Sequence, residues 1–226
     1  MLSLSLATLF FLGIHLVISG THLRNRLVNV LGEQAYMGLF SLLSIAGIIW
    51  MVMAFRAAPH IELWGQITSY RWLASVLILI AFLFVVLGSL SPNPTAIGGE
   101  ALLAKQESVR GIVRITRHPF LVGAAIWSIT HMIFNGDLAA NIFFGGFFIL
   151  SLVGPFAIDR KQRQASGQDW QAFAEQTSIL PFAAIISGRN SLLLKEFLNW
   201  RLAVAIVIFI VVFQLHGFLF GVSPLA

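Results

Sequence analysis

Six apolar runs, residues 2–20, 36–55, 72–90, 119–134, 138–158 and 200–221, are separated only by short polar stretches. Crossing roughly 30 Å of hydrocarbon takes about 20 apolar residues in helical conformation. Inside the bilayer no water satisfies backbone groups, so each run must close its own hydrogen bonds as a helix. Hydrophobic residues make up 58% of the 226 and charged ones only 10%, which leaves no material for a separate soluble domain. The expectation is an all-α, polytopic membrane helix bundle of about six transmembrane helices, forming one integral membrane domain over residues 1–226. The stretch 159–189 begins as a polar helix and ends in an apolar piece broken by Pro181. That piece is too short to span and predicts a short interfacial helix.

The first run has no preceding basic residue and no small-residue cleavage site after it, so it is expected to remain as a span rather than act as a signal peptide. The chain carries a net charge of +5. Nucleic acid is not the expected partner, because the basic residues are spread over loops that alternate with spans; the lipid bilayer is. With the amino terminus outside, twelve of the fourteen Lys and Arg fall in inner loops, and only Arg56 and Arg71 fall outside. The positive-inside rule then places both termini outside. The turn "NGD" at 135–137 predicts a tight antiparallel hairpin between the fourth and fifth runs. No cysteine is present, which excludes disulfides and thiolate ligands.

Ionisable residues within spans are costly and read as functional. His15, His131 and His216 lie inside apolar runs, and His118 stands immediately before Pro119. Two neutral imidazoles facing each other across a bundle hold a haem iron or another transition metal. Gly123, Trp127 and His131 recur at i, i+4 and i+8, so one stripe of a helix would offer a gap, an aromatic wall and a ligand for a planar cofactor. By depth along the helices, at about 1.5 Å per residue, His131 matches His216 better than His15. Glycines 38, 47, 145 and 146 read as sites of close helix approach. Arg110, Arg114 and Arg117, at i, i+4 and i+7, would form one basic face beside the membrane if a helix runs into Pro119, suited to haem propionates or another anion.

The stretch "TRHPFLVGAAIWSITHMIFNGD", with Arg117, His118, Pro119, Gly123, Trp127, His131, Asn135, Gly136 and Asp137, resembles the signature of the NnrU family of bacterial membrane proteins. The amino-terminal stretch "FFLGIHLVISGTHLRNRLVNVLGEQAYMGLFSLLS" is similar to the same family through Gly13, His15, Arg24, Glu33, Tyr36 and Gly38. The resemblance runs over essentially the whole chain. It implies a bacterial inner (cytoplasmic) membrane location, with termini in the periplasm, and a link to nitrite and nitric oxide metabolism in denitrification. NnrU proteins in turn resemble plant zeta-carotene isomerases, which use a b-type haem. That likeness implies haem b as cofactor, His15 and His131 as the metal ligands with His216 as the alternative partner, and an isomerase-like redox activity on a small apolar substrate. The isomerases carry a cysteine at the position of Ser128, so a thiolate-ligated state is not open to this chain.

"RHP" at 117–119 together with Gly167, Trp170, Phe173, Leu180 and Pro181 is also similar to the isoprenylcysteine methyltransferase superfamily. This wider likeness implies, as an alternative, an S-adenosylmethionine cofactor lined by Arg117 and His118. Asp159 followed by Arg160 departs from the adjacent acidic pair of those enzymes. A noncatalytic assembly factor is the third reading. With both termini outside, a reporter that fluoresces only in the cytoplasm should stay dark when fused after Ala226 and become bright when inserted in the 159–199 loop. A bright terminal fusion would reverse the assigned orientation.

Overall fold

The computed structural model describes residues 1–96, 98–103 and 109–224. Lys105, counted above among the inner basic residues, lies outside them. Helix α1 (Leu2–Leu12) continues into a π-helical turn, Gly13–Ile18, and is followed by α2 (Leu23–Leu31), α3 (Glu33–Arg56) and α4 (Arg71–Leu90). After these come α5 (Ile112–Ile115), α6 (Pro119–Asn135), α7 (Leu138–Gln176), α8 (Ala183–Ile186) and α9 (Trp200–Phe220). Each of the six apolar runs is a helix, as the all-α reading requires. Four of them, α3, α4, α7 and α9, are long and apolar enough to cross a bilayer, and a fifth span results if α1 with its π turn and α2 count as one broken element. Helix α6 is apolar but has 17 residues, about 25 Å at 1.5 Å per residue, and is shorter than a full crossing.

The first run departs from a straight span. The chain bends by 83° between Leu2–Ile18 and Leu23–Leu31. Arg24 and Arg26 follow the bend, and their charges oppose continuation into hydrocarbon. Helix α7 departs in the other direction, running on to Gln176 through polar sequence, with a break at Gly167. There φ is +47°, a backbone geometry that glycine adopts at little cost.

By contacts the chain divides into two compact units, residues 1–69 with 128–157, and residues 70–127 with 158–226. In the first, α1 packs along α3. Gly47 lets the Phe10 and Phe11 rings approach, with a Cβ there only 3.3 Å from Phe10, and Trp50 Nε1 donates to Ser3 Oγ at 3.1 Å. Gly146 on α7 admits the Thr8 methyl, whereas Gly38 faces open space and Gly145 nearly so. The close-approach reading therefore holds for Gly47 and Gly146. The expected hairpin is present, with Gly136 at φ +64° joining α6 to α7. Its carbonyl accepts from the amides of Leu63, Trp64 and Gly65, Leu138 N donates to Ile61 O, and Trp64 Nε1 donates to Ile133 O. The α3–α4 loop is thereby clamped across the hairpin turn.

In the second unit α4 packs against α9 and against the start of α6. Without a hydrophobic drive between helices in lipid, small residues decide where backbones meet. Here Gly88 sits under Pro119 and Phe120, and Gly123 lies against α4 itself. A cluster of Phe84, Leu87, Leu103, Ile112, Val113, Ile115, Trp170 and Phe173 forms the buried core of this unit. Its aliphatic and phenyl members outside the spans, Leu103, Ile112, Val113, Ile115 and Phe173, each contribute roughly 1.5–3 kcal/mol by burial from water.

A methyl group at position 123 would stand 2.7 Å from the Ala81 carbonyl oxygen and 2.8 Å from the Val85 amide. Because both are backbone, they cannot swing aside. Gly123→Ala is expected to destabilise the detergent-solubilised protein by about 1–3 kcal/mol, while Gly38→Ala should be near neutral. Thermal unfolding of the two variants side by side checks this.

Candidate functional site

His15 lies within the π-helical turn Gly13–Ile18. Such turns expose backbone that an α-helix would use internally and are frequent at functional sites. The His15 Nδ1 donates to the Phe11 carbonyl at 2.8 Å. A carbonyl can only accept, so Nδ1 carries the proton and Nε2 is the lone-pair nitrogen, the arrangement that orients a metal-ligating imidazole. The ring is held between Phe11, at 4.3 Å between centroids, and the edge of Phe40, at 5.1 Å. Phe40 in turn stacks on Tyr36 at 6.1 Å.

His131 belongs to the same unit, near the end of α6, and its ring stacks on Phe144 at 4.5 Å. The two histidines are joined by an unbroken series of ring contacts through Phe11, Phe147, Phe143 and Phe144. Three hydroxyls in this unit, Thr8 Oγ1, Tyr36 Oη and Ser128 Oγ, are buried with no hydrogen-bond partner among the described residues. Ser128 is wholly buried one turn before His131. Unsatisfied buried hydroxyls are uncommon, and each calls for a partner the protein chain does not supply.

Other residues expected at the site are placed differently. Gly123 is no gap for a cofactor, because the backbone of α4 fills the space beside it. Trp127 is half-buried one turn before His131 on the same helix. His216 sits in the second unit, where Nδ1 donates to the Val222 carbonyl at 2.6 Å and the ring tilts against Phe220. Among the described residues no three His, Asp or Glu side chains cluster as a bare ion would need. An apolar groove of about 480 Å³ lined by Ser3, Ala46, Ile49, Trp50 and Met53 opens near the start of α1. Its Ser3 end is twelve residues, about 18 Å along the helix, from His15.

The basic face does not form as one surface. Helix α5 spans only Ile112–Ile115, with Gly111 at φ +53° before it and Thr116 extended after it, so Arg110, Arg114 and Arg117 share no continuous helix. Arg114 makes a bidentate pair with Glu196, at 2.8 and 3.0 Å, and Glu196 also accepts from the Gly111 amide. These bonds, the Arg114 one foremost, hold the Glu196 carboxyl below the usual range. Arg117 reaches Asp159 through Nε and Nη2, at 3.0 and 2.6 Å, and lies over the Trp170 ring. His118, 2% exposed, donates from Nε2 to the other Asp159 oxygen at 2.7 Å. Thr95 and Ser178 fix the Arg117 backbone, and Thr116 Oγ1 donates to Ile179 O.

Asp159 and Glu196 were missed as partners in the sequence reading. The signal for Asp159 was available, since it is a lone acid at the end of an apolar run that must find a cation. Burial pushes the His118 imidazole below its ordinary value, against the opposing pull of Asp159. The Arg117 guanidinium already neutralises the carboxylate, so His118 is neutral, and the triad carries no net charge.

The family model described as "NnrU protein" matches residues 3–224. The maize (Zea mays) protein named 15-cis-zeta-carotene isomerase, chloroplastic, is 30% identical over 195 residues, which cover 83% of this chain and 51% of that protein. Its namesake in Arabidopsis thaliana is 38% identical over 82 residues, 36% of this chain and 22% of that protein. The chain thus spans about half the length or less of the curated relatives it matches. No solved structure matches it.

Because Asp159 balances a buried guanidinium, Asp159→Asn should cost about 3–5 kcal/mol, read as a lowered denaturation midpoint. Arg117→Met combined with Asp159→Leu should recover much of the loss. The unfolded chain protonates His118 near pH 6.5, whereas the folded chain keeps it neutral to lower pH. Its contribution to stability is therefore full above about pH 6.5 and lost on acidification. Melting curves between pH 7.5 and 5.5 should show that loss in the wild type and a shallower slope in His118→Gln.

Proposed function

This chain belongs to the NnrU family, and from that premise we propose that it binds one b-type haem through His15 and His131 and performs an isomerase-like redox reaction on a small apolar substrate in the membrane. The observation that carries this reading is the π-helical His15, whose Nδ1–H is committed to the Phe11 carbonyl so that Nε2 is the available ligand atom. When bound, the haem supplies an iron centre that changes oxidation state and polarises what lies against it.

The residues present suit that group. Both imidazoles belong to one compact unit. Phe11, Phe143, Phe144 and Phe147 give the apolar, water-excluding surroundings that a flat macrocycle and a polyene-like substrate both favour. Ser128 offers a buried hydroxyl to a bound molecule, and the chain has no thiolate to compete with the imidazoles. The relatives' names supply the reaction class, rearrangement of a cis double bond in an apolar substrate. The same redox centre would suit a place in nitrite and nitric oxide metabolism. Methyl transfer from S-adenosylmethionine would draw on Arg117 and His118, and both are engaged by Asp159.

Protein expressed with ample haem and purified in detergent should show a Soret band that shifts on reduction. His15→Ala and His131→Ala should each lose it or alter it strongly, while His216→Ala keeps it. A wild-type sample without a Soret band, or one indifferent to both substitutions, overturns the reading.

A further inference from the structure

We propose that the carboxylate edge of the macrocycle at His15 is received by Tyr36 and Arg24, beside the bend that joins α1 to α2; this rests on the haem reading above. The basic face once expected to meet the propionates is engaged elsewhere, since Arg114 is spent on Glu196 and Arg117 on Asp159. The first unit provides a different pair. Tyr36, in the first turn of α3, is 5% exposed, and its phenol oxygen has no hydrogen-bond partner among the described residues. A buried O–H without an acceptor is a standing cost that a carboxylate oxygen would remove.

Tyr36 lies one ring from the iron-ligand candidate, with Phe40 stacked on it at 6.1 Å and meeting His15 edge-on at 5.1 Å. Above the Tyr36 ring stands the Arg24 guanidinium, 5.4 Å from the centroid. Arg24 gives one nitrogen to Glu33 at 2.9 Å, and Glu33 is largely exposed, so that bond leaves further guanidinium donors for an anion. Phenol and guanidinium together offer a neutral and a charge-assisted donor, a combination suited to a carboxylate.

The location also fits an amphipathic ligand. Helix α2 turns away from α1 by 83° and carries Arg24 and Arg26, as a segment along the bilayer surface does. A macrocycle at His15 would keep its apolar body among phenylalanine rings and bring its anionic edge to the level where the chain becomes polar.

Titration of the purified full-length chain with hemin, and with hemin dimethyl ester in which both propionates are blocked, tests this by the Soret change. The wild type should prefer the free acid by about tenfold or more, as expected for hydrogen bonds to a charged group. Tyr36→Phe and Arg24→Gln should each weaken hemin binding and leave ester binding unchanged, so that the preference shrinks. Melting temperatures of the ligand-free variants identify any that merely misfold, and Tyr36→Phe, which removes one unsatisfied oxygen, should melt no lower than the wild type. If the wild type binds acid and ester alike, or if Tyr36→Phe loses both equally, the Tyr36–Arg24 assignment falls and haem binding at the histidines stands. If the wild type binds neither, both fall together.

Discussion

Asp159 is one carboxylate on which three chain segments depend. It follows the apolar stretch of α7 and accepts from Arg117 and His118, which immediately precede α6. The Arg117 carbonyl receives Thr95 from the loop after α4, and the Arg117 amide donates to Ser178 beyond the end of α7. A charge at the edge of hydrocarbon is tolerable only when matched. Once the match is made, the entry of α6, the exit of α4 and the return of the chain after α7 are fixed together. The adjacent core of Trp170, Phe173 and the α5 isoleucines adds burial without orientation. The ion pair adds orientation, because a bidentate guanidinium admits few geometries.

The histidine region follows the opposite rule. There the polar atoms are left over, not matched. A π turn loosens the backbone around His15, three hydroxyls lack acceptors or donors among the described residues, and phenyl rings line the unit in a series of contacts from His15 to His131. A core evolved only for stability would replace Thr8, Tyr36 and Ser128 with apolar residues of similar shape, since that exchange is close to neutral or favourable. The second unit also keeps buried polar atoms without a partner among the described residues, Gln162 Oε1, Trp170 Nε1 and Asn190 Oδ1, so what sets the first unit apart is that its three orphans are hydroxyls in the same unit as His15 and His131.

Helix content was legible because hydrocarbon allows little else. The observed ends of α3, α4, α6 and α9 fall within a few residues of the apolar runs. What could not be read was any feature set by partners distant in sequence. The 83° bend follows a run that stays apolar through Ile18, whereas the polar helix expected to begin at residue 159 is present as the continuation of α7 to Gln176. The three arginines were spaced correctly for a helical face, but Gly111 and the extended Thr116 interrupt the helix that the spacing assumed. Arg117 and Asp159 are 42 residues apart and Arg114 and Glu196 are 82 apart, so local periodicity carries no trace of either pair. His15 and His131 were visible because an ionisable ring in an apolar run is conspicuous wherever it lies. Gly123 was conspicuous for the wrong reason, since its missing side chain makes room for a helix and not for a ligand.

The clamp of the α3–α4 loop on the hairpin turn bears on how the chain is made. Residues 61–65 leave the ribosome some seventy positions before Gly136, whose carbonyl is to receive three of their amides. Until that carbonyl arrives, the loop has polar backbone groups to satisfy with water or with the insertion machinery. Its closure can come only after the α6–α7 turn has been made, in an order set by translation. A chain in which the α6–α7 turn fails to form is therefore left with the α3–α4 loop open and three of its amides without that acceptor.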